Sequence, residues 1–281
     1  MDSDHTEHCP EEAVSEDPTF EFDAIYPEEP EVPKVVFIVP YRDRAEHLAQ
    51  FSRHMKYVLS GLVGYRIYYI HQLDSRGFNR GAMKNIGFRM VRNKWANDYK
   101  SITLVFNDID TMPKHPGQFD YETQFGVIKH FYGFEYALGG VVSIKAGDFE
   151  QINGFPNFWA WGYEDNLLQT RAKQAGFTID RSQFYAFGDP RVINHAHSEY
   201  RLVNRHEFNR YLKSTQEGIS YIHGLVYGID ESNGFVNVQQ FFTGHQENAL
   251  GTVQYSLKNG PAPFGKIHRS TKMATMPMHM W

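Results

Sequence analysis

The sequence predicts an α/β protein with a mostly parallel nucleotide-binding sheet and helices on both faces. Three observations carry this reading. Residues 34–39, 65–71 and 104–106 are short apolar runs rich in β-favouring side chains, as expected of strands covered on both faces. Two stretches between them repeat apolar residues at three- and four-residue spacing. The third run then breaks off into two carboxylates, Asp108 and Asp110, where ligands sit in open α/β sheets.

The first run, Lys-Val-Val-Phe-Ile-Val, is followed at its carboxyl end by Pro40-Tyr41-Arg42-Asp43-Arg44. Leu48, Phe51, Met55 and Leu59 predict a helix over 46–59, closed by Gly61 and Gly64. After the second run, the loop 72–81 leads into a helix with Met83, Ile86 and Met90 on one face. The third strand ends before Pro113, and short connections make the whole a right-handed βαβαβ half-sheet. From Pro113 the chain reads as irregular as far as 138–144, where Gly139 and Gly140 open a strand. Such glycines admit a ligand close to the backbone or relieve a packing clash. A helix runs from Glu164 to Gly176. Residues 198–218 read as a polar flap before a short helix, and 219–242 as returning strands. Residues 252–257 suit one more strand, and the Met-rich end has no assigned structure.

At 281 residues with 41% hydrophobic and 15% aromatic content, the chain can bury a substantial core. Residues 1–33 are acidic and hold no Lys or Arg, so within a net charge of -5 the remainder is mildly basic. That balance fits an anionic small molecule and lacks the dense basic stripe of a nucleic-acid binder. The expected division is an acidic disordered tail over 1–33, a catalytic domain over 34–242 and an extension over 243–281. Cys9 is the only cysteine, which excludes an intramolecular disulfide and favours a reducing compartment. With neither a membrane-length apolar run nor a signal-peptide pattern, a soluble cytoplasmic location is expected.

Several charged groups fall on one edge of the predicted sheet. Arg42, Arg44 and Arg80 follow strand ends beside Asp108 and Asp110; guanidinium pairs bidentately with phosphate, and a carboxylate can hold a divalent ion. An isolated Asp-x-Asp can equally be a turn after a strand, and the arginines can be solvated surface charges. In residues 154–165, Trp159 and Trp161 lie in a Gly/Pro-rich loop that runs into Glu164 and Asp165. Flat rings beside carboxylates suit a sugar whose hydroxyl must lose a proton, although acids in a first helical turn are also ordinary dipole partners. His195 and His197 stand two apart. With 14 histidines, one such pair arises by chance about as often as not. If they join Asp110, the donor set suits a borderline divalent ion better than Mg²⁺.

Taken together and in order, these motifs resemble the β-1,4-galactosyltransferase family, inverting enzymes of the GT-A fold, from about residue 34 to 242. Pro40-Tyr41-Arg42-Asp43-Arg44-Ala45-Glu46-His47-Leu48 resembles the family's uridine-diphosphate loop, Pro-Phe-Arg-Asn-Arg-x-x-His-Leu. Phe78-Asn79-Arg80-Gly81 is similar to its Phe-Asn-Arg-Ala/Gly, and Asp108-Ile109-Asp110 to its Asp-Val-Asp. Ile152-Asn153-Gly154-Phe155-Pro156-Asn157 equals the family consensus. Trp159-Ala160-Trp161-Gly162-Tyr163-Glu164-Asp165 resembles Trp-Gly-Trp-Gly-Gly-Glu-Asp.

The resemblance implies a Mn²⁺-dependent transfer of galactose, or N-acetylgalactosamine, from a UDP-sugar to a glycan or glycoside hydroxyl. Asp165 would be the base and Glu164 would bind the acceptor. Pro40, Tyr41, Arg42, Arg44, Phe78, Arg80, Asp108, Ala137, Gly139, Gly140 and Trp161 would bind the donor. Trp159, Trp161, Gly162, Tyr163 and Glu164 would form the acceptor site, with Asp110, His195 and His197 on the metal. The His-x-His pair is similar to that of the branch acting on xylose. The chain departs from the family at Asn166 and Leu167, where further acids are usual, at Val192, where many members have a Met ligand, and at Ala137, where galactose-specific members have Tyr. Two other outcomes fit the same motifs: use of UDP-glucose or another UDP-hexose, and a non-catalytic protein that binds sugar nucleotides or glycans.

Overall fold

The computed structural model describes residues 32–195, 200–213, 216–248 and 250–256. The expectations for Cys9, for most of the acidic tail, for His197 and for the Met-rich end therefore lie outside the described residues. The strands are β1 (Val35–Tyr41), β2 (Tyr65–Gln72), β3 (Thr103–Asn107), β4 (Thr111–Pro113), β5 (Val127–Gly133), β6 (Val141–Lys145), β7 (Thr178–Asp180), β8 (Tyr185–Ala186), β9 (Val192–Asn194), β10 (Tyr200–Asn204), β11 (His223–Asp230), β12 (Phe235–Phe242) and β13 (Thr252–Ser256). The helices are α1 (Ala45–Val58), α2 (Arg80–Lys94), α3 (Ala146–Gln151), α4 (Glu164–Gln174) and α5 (Arg205–Lys213).

One mixed sheet runs in the order β11-β12-β2-β1-β3-β6-β5-β7, with β8 also on β5. β1 pairs parallel with β2 and β3, which is the expected half-sheet, while β6 is antiparallel to both β3 and β5. Alternation along β1 sends its side chains to two separate cores. Val35, Phe37 and Val39 meet Leu48, Phe51 and Met55 of α1, whereas Val36 and Ile38 meet Met83, Ile86 and Met90 of α2. α1 buries one stripe, as its spacing suggests, whereas α2 is buried all round from Gly81 to Phe88, and the two helices cover opposite faces. Among the described residues no helix is long and apolar enough to cross a membrane.

Three local expectations need correction. Pro113 does not simply stop the third strand: after the Asp-x-Asp turn, β4 forms and pairs antiparallel with β9. The span after Pro113 is not irregular throughout, because β5 lies inside it, and Gly139 and Gly140 belong to the loop before β6. The polar stretch near 198–218 contains β10 and α5, with β10 paired to β13, so the strand expected at 252–257 closes on the body of the protein.

Candidate active site

The carboxyl ends of β1 and β3, the start of α2, the loop before β6 and the start of α4 surround an open cleft of about 1500 Å³. Its lining includes Pro40, Arg42, Arg44, Phe78, Arg80, Asp108 and Asp110 on one side. Ala137, Gly139, Gly140, Trp161, Gly162, Tyr163, Glu164 and Asp165 line the other. Three expected site residues, Tyr41, Trp159 and His195, are absent from the lining. Tyr41 is buried edge-on against His71 and Phe235. Trp159 is 2% exposed and stacks on Phe241, with its Nε1 donating to Thr243 and to the His245 carbonyl, so its ring packs inward and anchors the loop it belongs to.

Asn79 makes the α2 end possible. Its side chain accepts from the Ala82 N–H at 2.9 Å and caps the helix, which projects Arg80 from the first turn into the cleft. Arg80 Nη2 reaches both Asp108 oxygens at 2.8 and 2.9 Å. The same guanidinium lies 3.5 Å from Glu164 and 3.9 Å from Asp165. Burial opposes its charge, but Asp108, Glu164, Asp165 and Asp110 outweigh it and push its pKa up.

The consensus Ile152 to Asn157 segment is a buried amide knot. Asn85 bonds Phe155 and Asn157, and Asn157 bonds Glu217 and the Gly218 carbonyl. The knot fixes the loop that follows. There Ala160 (φ 137) and Tyr163 (φ 74) hold positive φ where the resembling motif has glycine. Each such residue stores about 1–3 kcal/mol of strain. Trp161 N–H donates to Leu202 O of β10 at 2.8 Å, and Tyr163 meets Phe208 of α5 edge-on at 4.7 Å.

Asp165 takes Lys84 Nζ at 3.1 Å and lies against Gly139. Glu164 is 2% exposed, with Oε2 buried and unbonded. Burial raises its pKa, opposed by Arg80 and reinforced by Asp165. His130 turns one ring nitrogen to the Tyr132 and Gly139 carbonyls, each at 3.1 Å; burial and the Arg181 charge lower its pKa to about 4.

The β4–β9 pairing sets Asp110 beside His195, whose N–H donates to Asp110 O at 2.8 Å. Burial, then the Asp108 charge, raises the Asp110 pKa against Arg80, the Thr111 hydroxyl and Arg44. Asp108 and Asp110 give this edge two carboxylates, a donor type that divalent ions take, while His195 meets Asp110 through the backbone and is not in the cleft lining. Among the described residues no group of three His, Cys, Asp or Glu side chains could hold one, and His197 lies outside them.

Sequence reasoning missed Lys84, His130, Arg201 and Tyr255. Arg80 and Lys84 stand four apart on one helix, a readable signal of two cations on the face that opens the cleft. Arg201 and Tyr255 both line the cleft from the β10–β13 ribbon, a pairing that no local pattern announces.

The parallel half-sheet with a charged cleft at its carboxyl edge is the architecture of a nucleotide-binding α/β protein. Residues 12–120 match the N-terminal region of glycosyl transferase group 7, and residues 121–197 match the N-terminal domain of galactosyltransferase. Xylosylprotein 4-β-galactosyltransferase of Caenorhabditis elegans is 30% identical over 70% of this chain and 72% of its own length. Human β-1,4-galactosyltransferase 5 is 29% identical over 77% of this chain, which spans 58% of it. The catalytic domain of Drosophila β-1,4-galactosyltransferase 7, crystallised with xylobiose, superposes with a TM-score of 0.58 at 23% identity, covering 76% of this chain and 96% of that one. The chain belongs to the β-1,4-galactosyltransferase family.

Proposed function

We propose that the chain transfers galactose from UDP-galactose to a sugar hydroxyl in one inverting displacement. The observation that carries this is Arg80, a single guanidinium that touches Asp108 on the nucleotide side and Glu164 and Asp165 on the acceptor side. It holds both reacting halves in register. Asp165 takes the acceptor hydroxyl proton as the oxygen bonds the anomeric carbon. The bond from that carbon to the β-phosphate oxygen breaks, and its electron pair leaves with UDP. Arg42, Arg44 and Arg80 meet the charge that grows on the diphosphate. Glu164, which lines the cleft beside Asp165, binds an acceptor hydroxyl in this reading, and Trp161 offers the acceptor ring a flat face. Mn²⁺ held by Asp110, His195 and His197 would supply Lewis-acid stabilisation of the same diphosphate. A fly relative crystallised with manganese, UDP-Gal and xylobiose supports this choice of ligands. Cys9 as sole cysteine supports a reducing compartment.

The test is UDP release from UDP-galactose with Mn²⁺ and a panel of xylosides, glucosides and N-acetylglucosaminides, xylobiose included, with products read by mass spectrometry. A hexose increment on one acceptor class is expected. UDP-galactose binding without turnover on any acceptor or on water would turn the reading to a binding protein.

A further inference from the structure

Lys84 is 2% exposed on a helix that buries mainly apolar side chains and Asn85, and its ammonium lies 4.3 Å over the Phe155 ring. Burying an ammonium is costly unless it is paired, so its partner matters. That partner is Asp165, whose Oδ1 lies 3.1 Å from Lys84 Nζ. The other oxygen abuts Gly139 and stands 3.9 Å from Arg80. The carboxylate is thus bounded on the α2 side by cations and on the Gly139 side by backbone, with the cleft as its open side.

We propose that Lys84 is the positioning residue of the catalytic base, holding the Asp165 carboxylate in place and aiming it at the acceptor hydroxyl. The proposal rests on the reading of Asp165 as the base. The charged and titratable groups that face Asp165 are Lys84 and Arg80 from α2, Glu164 beside it on α4, and His130 from β5. Burial holds His130 neutral, and Glu164 would repel rather than stabilise the carboxylate. Of the two cations, Lys84 is the closer. It does not touch the substrate: the proton moves from the acceptor oxygen to Asp165, and Lys84 keeps its own three protons throughout.

The experiment compares Lys84→Met, Lys84→Arg and Asp165→Asn in the full chain with Mn²⁺. It follows UDP release from UDP-galactose, with water or xylobiose as acceptor. Lys84→Met should lower kcat by about 10- to 100-fold with KM for UDP-galactose nearly unchanged. Lys84→Arg should return kcat towards the parent. If Lys84→Met stays within twofold in kcat while Asp165→Asn collapses, the role of Lys84 fails and the base stands. An undiminished Asp165→Asn overturns the base reading and this proposal with it. Should Lys84→Met not fold, the double variant with Asp165→Asn leaves no unpaired carboxylate. Recovery of folding and UDP affinity there supports the pairing, and continued unfolding shows that Lys84 serves packing alone.

Discussion

A Cβ placed on Gly139 would lie 2.3 Å from Asp165 Oδ2, so the bare Cα of this glycine is the wall against which the carboxylate rests. Leu138 N–H also donates to the Asp165 carbonyl at 3.0 Å, which ties the loop before β6 to the first turn of α4. The requirement at Gly139 is space. At Gly140 it is conformation as well, since φ is +71° and a Cβ would meet the Tyr132 carbonyl at 2.3 Å.

Gly139→Ala should therefore displace the base. Overpacking of this kind costs about 1–3 kcal/mol, and a shift of roughly 1 Å in a reacting group costs about 100-fold in rate. Turnover of UDP-galactose should fall far more than UDP affinity does. A variant within twofold of the parent in kcat would show that the carboxylate has other room.

Asp110→Asn should remove the metal dependence of UDP binding. Burial first and the Asp108 charge second raise the Asp110 pKa, with Arg80 and Arg44 opposing them. Calorimetry of UDP with Mn²⁺, with Mg²⁺ and with chelator is the measurement. The parent should bind best with Mn²⁺, and the variant should lose at least about tenfold of that gain. Equal affinities in all three solutions for the parent would discard the metal site.

Stability should fall in alkaline solution through His245. Its Nε2 lies 2.8 Å from Glu207, and its Nδ1 lies 3.2 Å from Glu217. Burial works against the charge, but the hydrogen bonds and charges of Glu207 and Glu217 outweigh it and raise the pKa to about 9. A folded-state pKa above the unfolded value gives stability that is complete below about pH 6.5 and is lost as pH rises through about 9. The amount at stake is on the order of 3 kcal/mol. Thermal melts from pH 6 to 10 should show the loss, and His245→Gln should start lower and flatten the profile. Parallel curves for the two proteins would assign the alkaline sensitivity elsewhere.

The parts of the fold that were legible are those with a strong local period. α1 buries a regular stripe, α2 repeats apolar residues at helical spacing, β1, β2 and β3 are apolar runs, and β11 and β12 alternate more and less exposed positions. β4 and β9 have three residues each, too few for a period, and their pairing was invisible although it brings His195 to Asp110. β5 was hidden because Lys129 and His130 interrupt its apolar run, His130 being buried to serve the Gly139 loop. In the cleft, residues after strand ends could be read as charge motifs. Trp159 misled, because a tryptophan in a Gly/Pro-rich loop reads alike whether it faces a sugar or the Phe241 ring.

Donor choice should turn on Ala137. This residue lines the cleft beside Gly139, where galactose-specific members of the family carry a tyrosine whose bulk crowds a 2-acetamido group. The nearby rings are engaged with one another: Phe134 stacks on Tyr136 with centroids 5.2 Å apart and on Phe187 at 5.0 Å. A methyl in place of a phenol would leave room beside the second carbon of a bound sugar, and a pocket rejects a larger donor mainly by clash. UDP-N-acetylgalactosamine should be used within about tenfold of UDP-galactose, a barrier gap of roughly 1.4 kcal/mol. Ala137→Tyr should widen that gap by restoring the clash while leaving UDP-galactose turnover nearly intact. The measurement is a parallel kcat/KM comparison of both donors with the two proteins. Strict galactose use by the parent, unchanged by the tyrosine, would place donor selection at another wall of the cleft.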